Sequence, residues 1–116
     1  MQYIEIWHNP KCSKSRAAME LLEDKNIDTN VVKYLETIPS KEQIIDVLRK
    51  LKISAKELLR TGEDIYKELN LKDENDEEKI IEAMVKNPIL IERPIIIKGE
   101  NAVIARPIEN LSELLK

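Results

Sequence analysis

The stretch IWHNPKCSKSRAAMELL, residues 6–22, decides how this chain is read. It joins a β-prone apolar run (Tyr3, Ile4, Ile6, Trp7) to a helix-prone one through a polar hinge. Residues 2–7 therefore predict a short strand that ends at Asn9-Pro10. A helix follows from Ser13 or Lys14 to Lys25, with Ala17, Ala18, Met19, Leu21 and Leu22 on its inward side and Asn26 as its stop. The hinge holds the only cysteine, Cys12, and the only histidine, His8.

Working outward, TNVVKYL (29–35) reads as a second strand. Strand, helix and strand within so short a span predict a right-handed βαβ unit with two parallel strands. Helical signals come next. Ser40 and Gln43 have capping-box spacing ahead of Ile44, Val47, Leu48 and Leu51, which recur at i, i+3, i+4 and i+7. Ser54 and Glu57 repeat the cap before Leu58 and Leu59, with Gly62 expected to close that turn as a C′ glycine. Short helices are expected around Asp64–Leu69 and Asp76–Lys86. The acidic run DENDEE at the start of the latter reads as a solvated helix N-terminus. Ile95–Ile97 and Ala102–Ala105 flank Gly99-Glu100-Asn101 as an antiparallel hairpin, and Ile108, Leu111, Leu114 and Leu115 mark a last amphipathic helix over 108–115. The order βαβ, helical insertion, ββα is that of a thioredoxin-like α/β fold with a four-stranded mixed sheet. One domain over residues 1–116 is expected, with the insertion at about 40–87.

Composition narrows the function classes. The chain has 116 residues, 42% of them hydrophobic and 35% charged, an ordinary globular mixture. No apolar run approaches the roughly 20 residues that span a bilayer, and the N-terminus lacks a signal-peptide pattern, so no membrane association and a cytoplasmic location are expected. A net charge of -3 argues against a nucleic-acid surface. One Cys and one His cannot build a His/Cys metal cluster, so no metal is expected.

Cys12 is placed where a strand meets the first turn of a helix. Free backbone N–H groups and the helix dipole favour an anion there, and such a position brings a thiol pKa down from about 8.5. Lys11, Lys14, Arg16 and His8 add positive or donor character, so the residue reads as a nucleophile rather than an inert thiol. The Cys12-to-Arg16 spacing is C-x3-R, which does not fit the C-x5-R loop of tyrosine-phosphatase-type sites. Ser15 makes the thioredoxin-type motif C-x-x-S, so any disulfide at Cys12 is with another molecule.

The segments HNPKCSKSR, LLR ending at Arg60, NPILIERPI around Arg93, and ARP at Arg106 resemble, in that order, the glutaredoxin-coupled arsenate reductase family, ArsC. The resemblance runs from Ile4 to about Leu115 and implies the same thioredoxin-like fold. It implies that Cys12 attacks arsenate, that Arg60, Arg93 and Arg106 surround the oxyanion, and that His8 helps set the thiol's ionisation. Ser15 and Arg16 would shape the anion pocket, and Pro94 would take the cis-proline position facing the cysteine. The resemblance implies no bound cofactor, with glutathione as cosubstrate and glutaredoxin as reductant, and a monomer is expected. Guanidinium groups suit the chemistry, because their planar donor forks match a tetrahedral dianion and offset the repulsion an approaching thiolate meets. Two other readings share the fold. One is a glutathione-dependent thiol reductase of another substrate. The other is a Spx-type regulator binding RNA polymerase, against which Ser15 and the arginine trio count.

Overall fold

The computed structural model describes residues 4–116. Gln2 and Tyr3, expected to open the first strand, lie outside the described residues. The chain divides into two compact units: residues 38–92, and the flanking segments up to Thr37 and from Arg93 onward.

The flanking segments form the sheet. Strand β1 (Ile4–Trp7) leads to helix α1 (Ser13–Asp24) and strand β2 (Thr29–Val32); strands β3 (Ile95–Lys98) and β4 (Asn101–Ile104) precede helix α6 (Glu109–Leu114). The strand order is β2-β1-β3-β4, with β1–β2 parallel and the other two pairs antiparallel. The fold is therefore the expected α/β class with a four-stranded mixed sheet. Strand alternation sends Ile4, Ile6 and Ile96 into a core with Ala18 and Leu22 of α1 and Leu111 of α6. The apolar area removed from water there drives assembly at about 25 cal/mol per Å². Trp7 and Tyr34 are buried and stack with ring centroids 6.5 Å apart.

Three expectations in this unit shift. The second strand stops at Val32 rather than Leu35, because the Lys33 carbonyl accepts from Glu36 N–H and Thr37 N–H and turns the chain. Ala17 is exposed; the buried stripe of α1 is Ser15, Ala18 and Leu22, spaced i, i+3, i+7. The hairpin turn is Gly99-Glu100, with Gly99 at φ 60 and Asn101 already in β4. Left-handed backbone suits a residue without Cβ. Asn26 also sits at φ 55, which is how it ends α1.

Residues 38–92 carry helices α2 (Lys41–Leu51), α3 (Ala55–Leu58), α4 (Asp64–Glu68) and α5 (Glu77–Lys86). Ser40 caps α2 as predicted: its hydroxyl accepts from Gln43 N–H while the Gln43 side chain accepts from Ser40 N–H. Ile44, Val47 and Leu48 of α2 are buried, as are Ala55 and Leu58 of α3 and Ile80, Ile81 and Met84 of α5. Gly62 does not act as a C′ glycine. Helix α3 ends when Leu59 extends (φ -73, ψ 138) into a bridge with Ile91, and Gly62 has no left-handed φ. The acidic run is more than a solvated start. Asp76 caps α5, the Glu77 carboxylate accepts Ala55 N–H at the start of α3 (3.0 and 3.2 Å), and Glu78 pairs with Lys41 of α2.

Candidate active site

Cys12 is the N-cap residue of α1, with extended backbone (φ -98, ψ 123). The sequence forces this: Pro10 cannot continue the strand ladder, and the first turn of α1 begins directly after Cys12. Cys12 N–H donates to the Asn9 carbonyl at 3.0 Å, and the Cys12 carbonyl accepts Arg16 N–H at 3.0 Å to open the helix. Asn9 Oδ1 accepts Lys11 N–H at 3.0 Å, an Asx turn that bends the loop.

The thiol is 8% exposed, so burial alone would make it an inert small hydrophobe. Its partners decide otherwise. Burial pushes its pKa up, but the N–H groups of Ser15 and Lys14 and the guanidinium groups of Arg93 and Arg106 outweigh burial and bring it down to about 7. Arg106 Nη2 lies 3.5 Å from Cys12 Sγ, while its Nε donates to the Arg93 carbonyl at 2.7 Å. Near neutral pH a large share of Cys12 is thiolate.

Arg93 has capacity to spare. Its Nε and Nη1 are buried without a hydrogen-bond partner in the structure. An unmatched guanidinium donor away from water is costly, and an oxyanion beside Cys12 would satisfy it. Arg93–Pro94 is a cis peptide bond, as is Arg106–Pro107. Ala105 N–H donates to the Pro94 carbonyl at 3.0 Å, which brings the two Arg-Pro segments side by side.

His8 does not touch the thiol. Its Nδ1 lies 3.0 Å from the Ser15 hydroxyl, which also accepts Asn9 N–H at 3.0 Å. Burial, then the charges of Lys33 and Arg16, hold the His8 pKa below its ordinary value, so the ring is neutral near pH 7. A neutral ring cannot offer the thiolate a positive charge. What His8 does is hold Ser15, whose own N–H faces the sulfur. Arg16 is exposed and donates to the Pro10 carbonyl at 3.0 Å, bracing the loop. The basic residues beside Cys12 in sequence are therefore not the cations that stabilise it; those arrive from the far end of the chain.

Arg60 belongs to the other unit. Its N–H donates to the Leu90 carbonyl at 2.7 Å, part of the bridge that sets it near Glu92. Arg60 Nε is 3.3 Å from Glu63 Oε2 and 3.8 Å from Glu92 Oε1, ion-pair distances without hydrogen-bond alignment. Those two carboxylates, like the Asn9 turn and the Lys14 N–H, were not read as site features. Only Asn9-Pro10 gave a signal, as a turn former.

Comparison with known sequences fits this thiol-and-guanidinium geometry. The sequence profile of the ArsC family matches residues 7–114. The chain belongs to the ArsC family. Among ArsC-like relatives, it is 44% identical to the arsenate reductase of Neisseria meningitidis serogroup A, over 99% of this chain and 100% of that one. It is 46% identical to the uncharacterized protein YfgD of Escherichia coli strain K12, over 97% and 96% of the two chains. The solved arsenate reductase from Vibrio cholerae superposes with a TM-score of 0.93 at 41% identity, covering 97% of both chains.

Proposed function

We propose that this protein reduces arsenate to arsenite with Cys12 as nucleophile. The observation that carries the reading is a thiol with its pKa at about 7 set beside Arg93, whose buried Nε and Nη1 lack partners. A ready thiolate next to unfilled guanidinium donors is a site for an electrophilic oxyanion, and relatives named arsenate reductase supply the element.

The chemistry runs through bonds that balance. The Cys12 thiolate attacks arsenic(V), an S–As bond forms, and one oxygen leaves as hydroxide and takes a proton to become water. Arg93 and Arg106 stabilise the negative charge on the remaining oxygens. A glutathione thiolate then attacks Cys12 sulfur; the S–As bond breaks with its electron pair on arsenic, which leaves as arsenite, and a Cys12–glutathione disulfide remains. Glutaredoxin takes the glutathione and restores the thiol.

The test is arsenate-dependent NADPH oxidation with glutathione, glutathione reductase and glutaredoxin supplied. Steady turnover that vanishes when any one thiol component is left out is expected. Absence of arsenate-dependent turnover in the complete mixture overturns the assignment.

A further inference from the structure

We propose that Asn110 is a positioning residue for this site: its side-chain amide holds the turn that aims Arg106 at Cys12. This rests on reading Arg106 as a stabiliser of the Cys12 thiolate. Asn110 stands in the first turn of α6, across Pro107 from Arg106. Its Nδ2 donates to the Ile104 carbonyl at 3.0 Å and to the Arg106 carbonyl at 3.3 Å. Only the NH2 end of an amide has two hydrogens to give; its oxygen end would face two carbonyl oxygens, so chemistry settles the orientation.

The effect on Arg106 is geometric. The Ile104 carbonyl also accepts Arg106 N–H at 2.8 Å. The peptide planes on both sides of the Arg106 Cα are thus held, one through that N–H and one through the carbonyl bonded to Asn110. Fixing both planes fixes the direction of the Cα–Cβ bond. From there the side chain reaches the Arg93 carbonyl through Nε and Cys12 Sγ through Nη2. A long side chain acts as a lever, so a small rotation at its base moves the tip off a contact already 3.5 Å long. A role confined to anchoring α6 would cost stability and leave the thiol as it is.

The test separates those roles. Thiol pKa is read from the pH dependence of iodoacetamide alkylation in Asn110→Ala, in Asn110→Leu (which keeps bulk without donors), in Arg106→Ala, and in the Asn110→Ala/Arg106→Ala double variant. Each Asn110 variant is expected to raise the thiol pKa by about half a unit to one unit, the scale on which one charged neighbour acts. Arsenate KM should rise several-fold with them. The double variant should match Arg106→Ala alone, since Asn110 acts only through Arg106. A lowered thermal midpoint with an unmoved alkylation profile in both Asn110 variants overturns the proposal, as does an Asn110 shift that adds in full on top of Arg106→Ala. If Arg106→Ala itself leaves the profile unmoved, the premise about Arg106 fails, and the proposal with it.

Discussion

At the scale of residues, the thiol shows how partners outweigh environment. Cys12 is buried, which alone would raise its pKa, yet four hydrogen-bonding groups bring it to about 7. Replacing it with Ser should abolish turnover and preserve the fold, because a hydroxyl is a far weaker nucleophile near neutral pH; activity equal to wild type would remove Cys12 from the mechanism. The lowered pKa also makes stability depend on pH. A thiol whose folded pKa lies below its unfolded value stabilises the fold above the unfolded pKa, near 8.5, and that contribution is lost as pH falls through about 7. Denaturation of wild type should therefore gain on the order of 2 kcal/mol between pH 6 and 9 that Cys12→Ser does not gain. Arg93→Ala and Arg106→Ala should each weaken arsenate binding by roughly 1.5–3 kcal/mol, with Lys recovering only part, since an ammonium cannot fork. Full recovery by Lys at both positions, measured by arsenate titration, would show that point charge suffices.

Elements are joined by charges that the sequence scatters. The Glu77 carboxylate accepts the Ala55 N–H, satisfying a donor at the start of α3 that no residue within that short helix could satisfy. Glu77→Ala should cost about 1–2 kcal/mol in urea unfolding, the scale of a charge-assisted bond to backbone; a change too small to measure would reduce the contact to a surface ion pair. Lys52 ends α2 at φ 61, where a Cβ is strained. Lys52→Gly should raise the unfolding free energy by roughly half to one kcal/mol. The cap of α2 was legible because Ser40 and Gln43 bond three positions apart, whereas Asp76 bonds as locally inside an acidic run that reads only as a solvated helix start. The end of α3 was not legible, because Leu59 is drawn out by Ile91, more than thirty positions away in sequence.

For the whole molecule, a count of one matters. A single cysteine cannot close an internal disulfide after giving up its share of the two electrons that arsenic(V) needs. Turnover should require glutathione and a glutaredoxin, with one glutathione per chain detectable by mass spectrometry as a Cys12 disulfide. Multiple turnovers with thioredoxin and thioredoxin reductase alone would contradict this. The described residues include no helix long and apolar enough to cross a membrane.

Local signals in the sequence determined much here. A period-2 apolar run, an Asn-Pro break and a helical stripe placed the βαβ opening, and the hinge placed Cys12 at a helix N-terminus, because each rests on residues only a few positions apart. The resemblance, not the periodicity, singled out Arg93 and Arg106. Tertiary structure decided what those residues do together. It brought Arg93 and Arg106 to the sulfur, took Arg60 to two carboxylates in the other unit, and reduced His8 to a neutral partner of Ser15. Those outcomes depend on which long-range backbone pairings close, on Trp7 of β1 meeting Ile95 of β3 and Leu59 meeting Ile91, and no window of local sequence holds both ends of either.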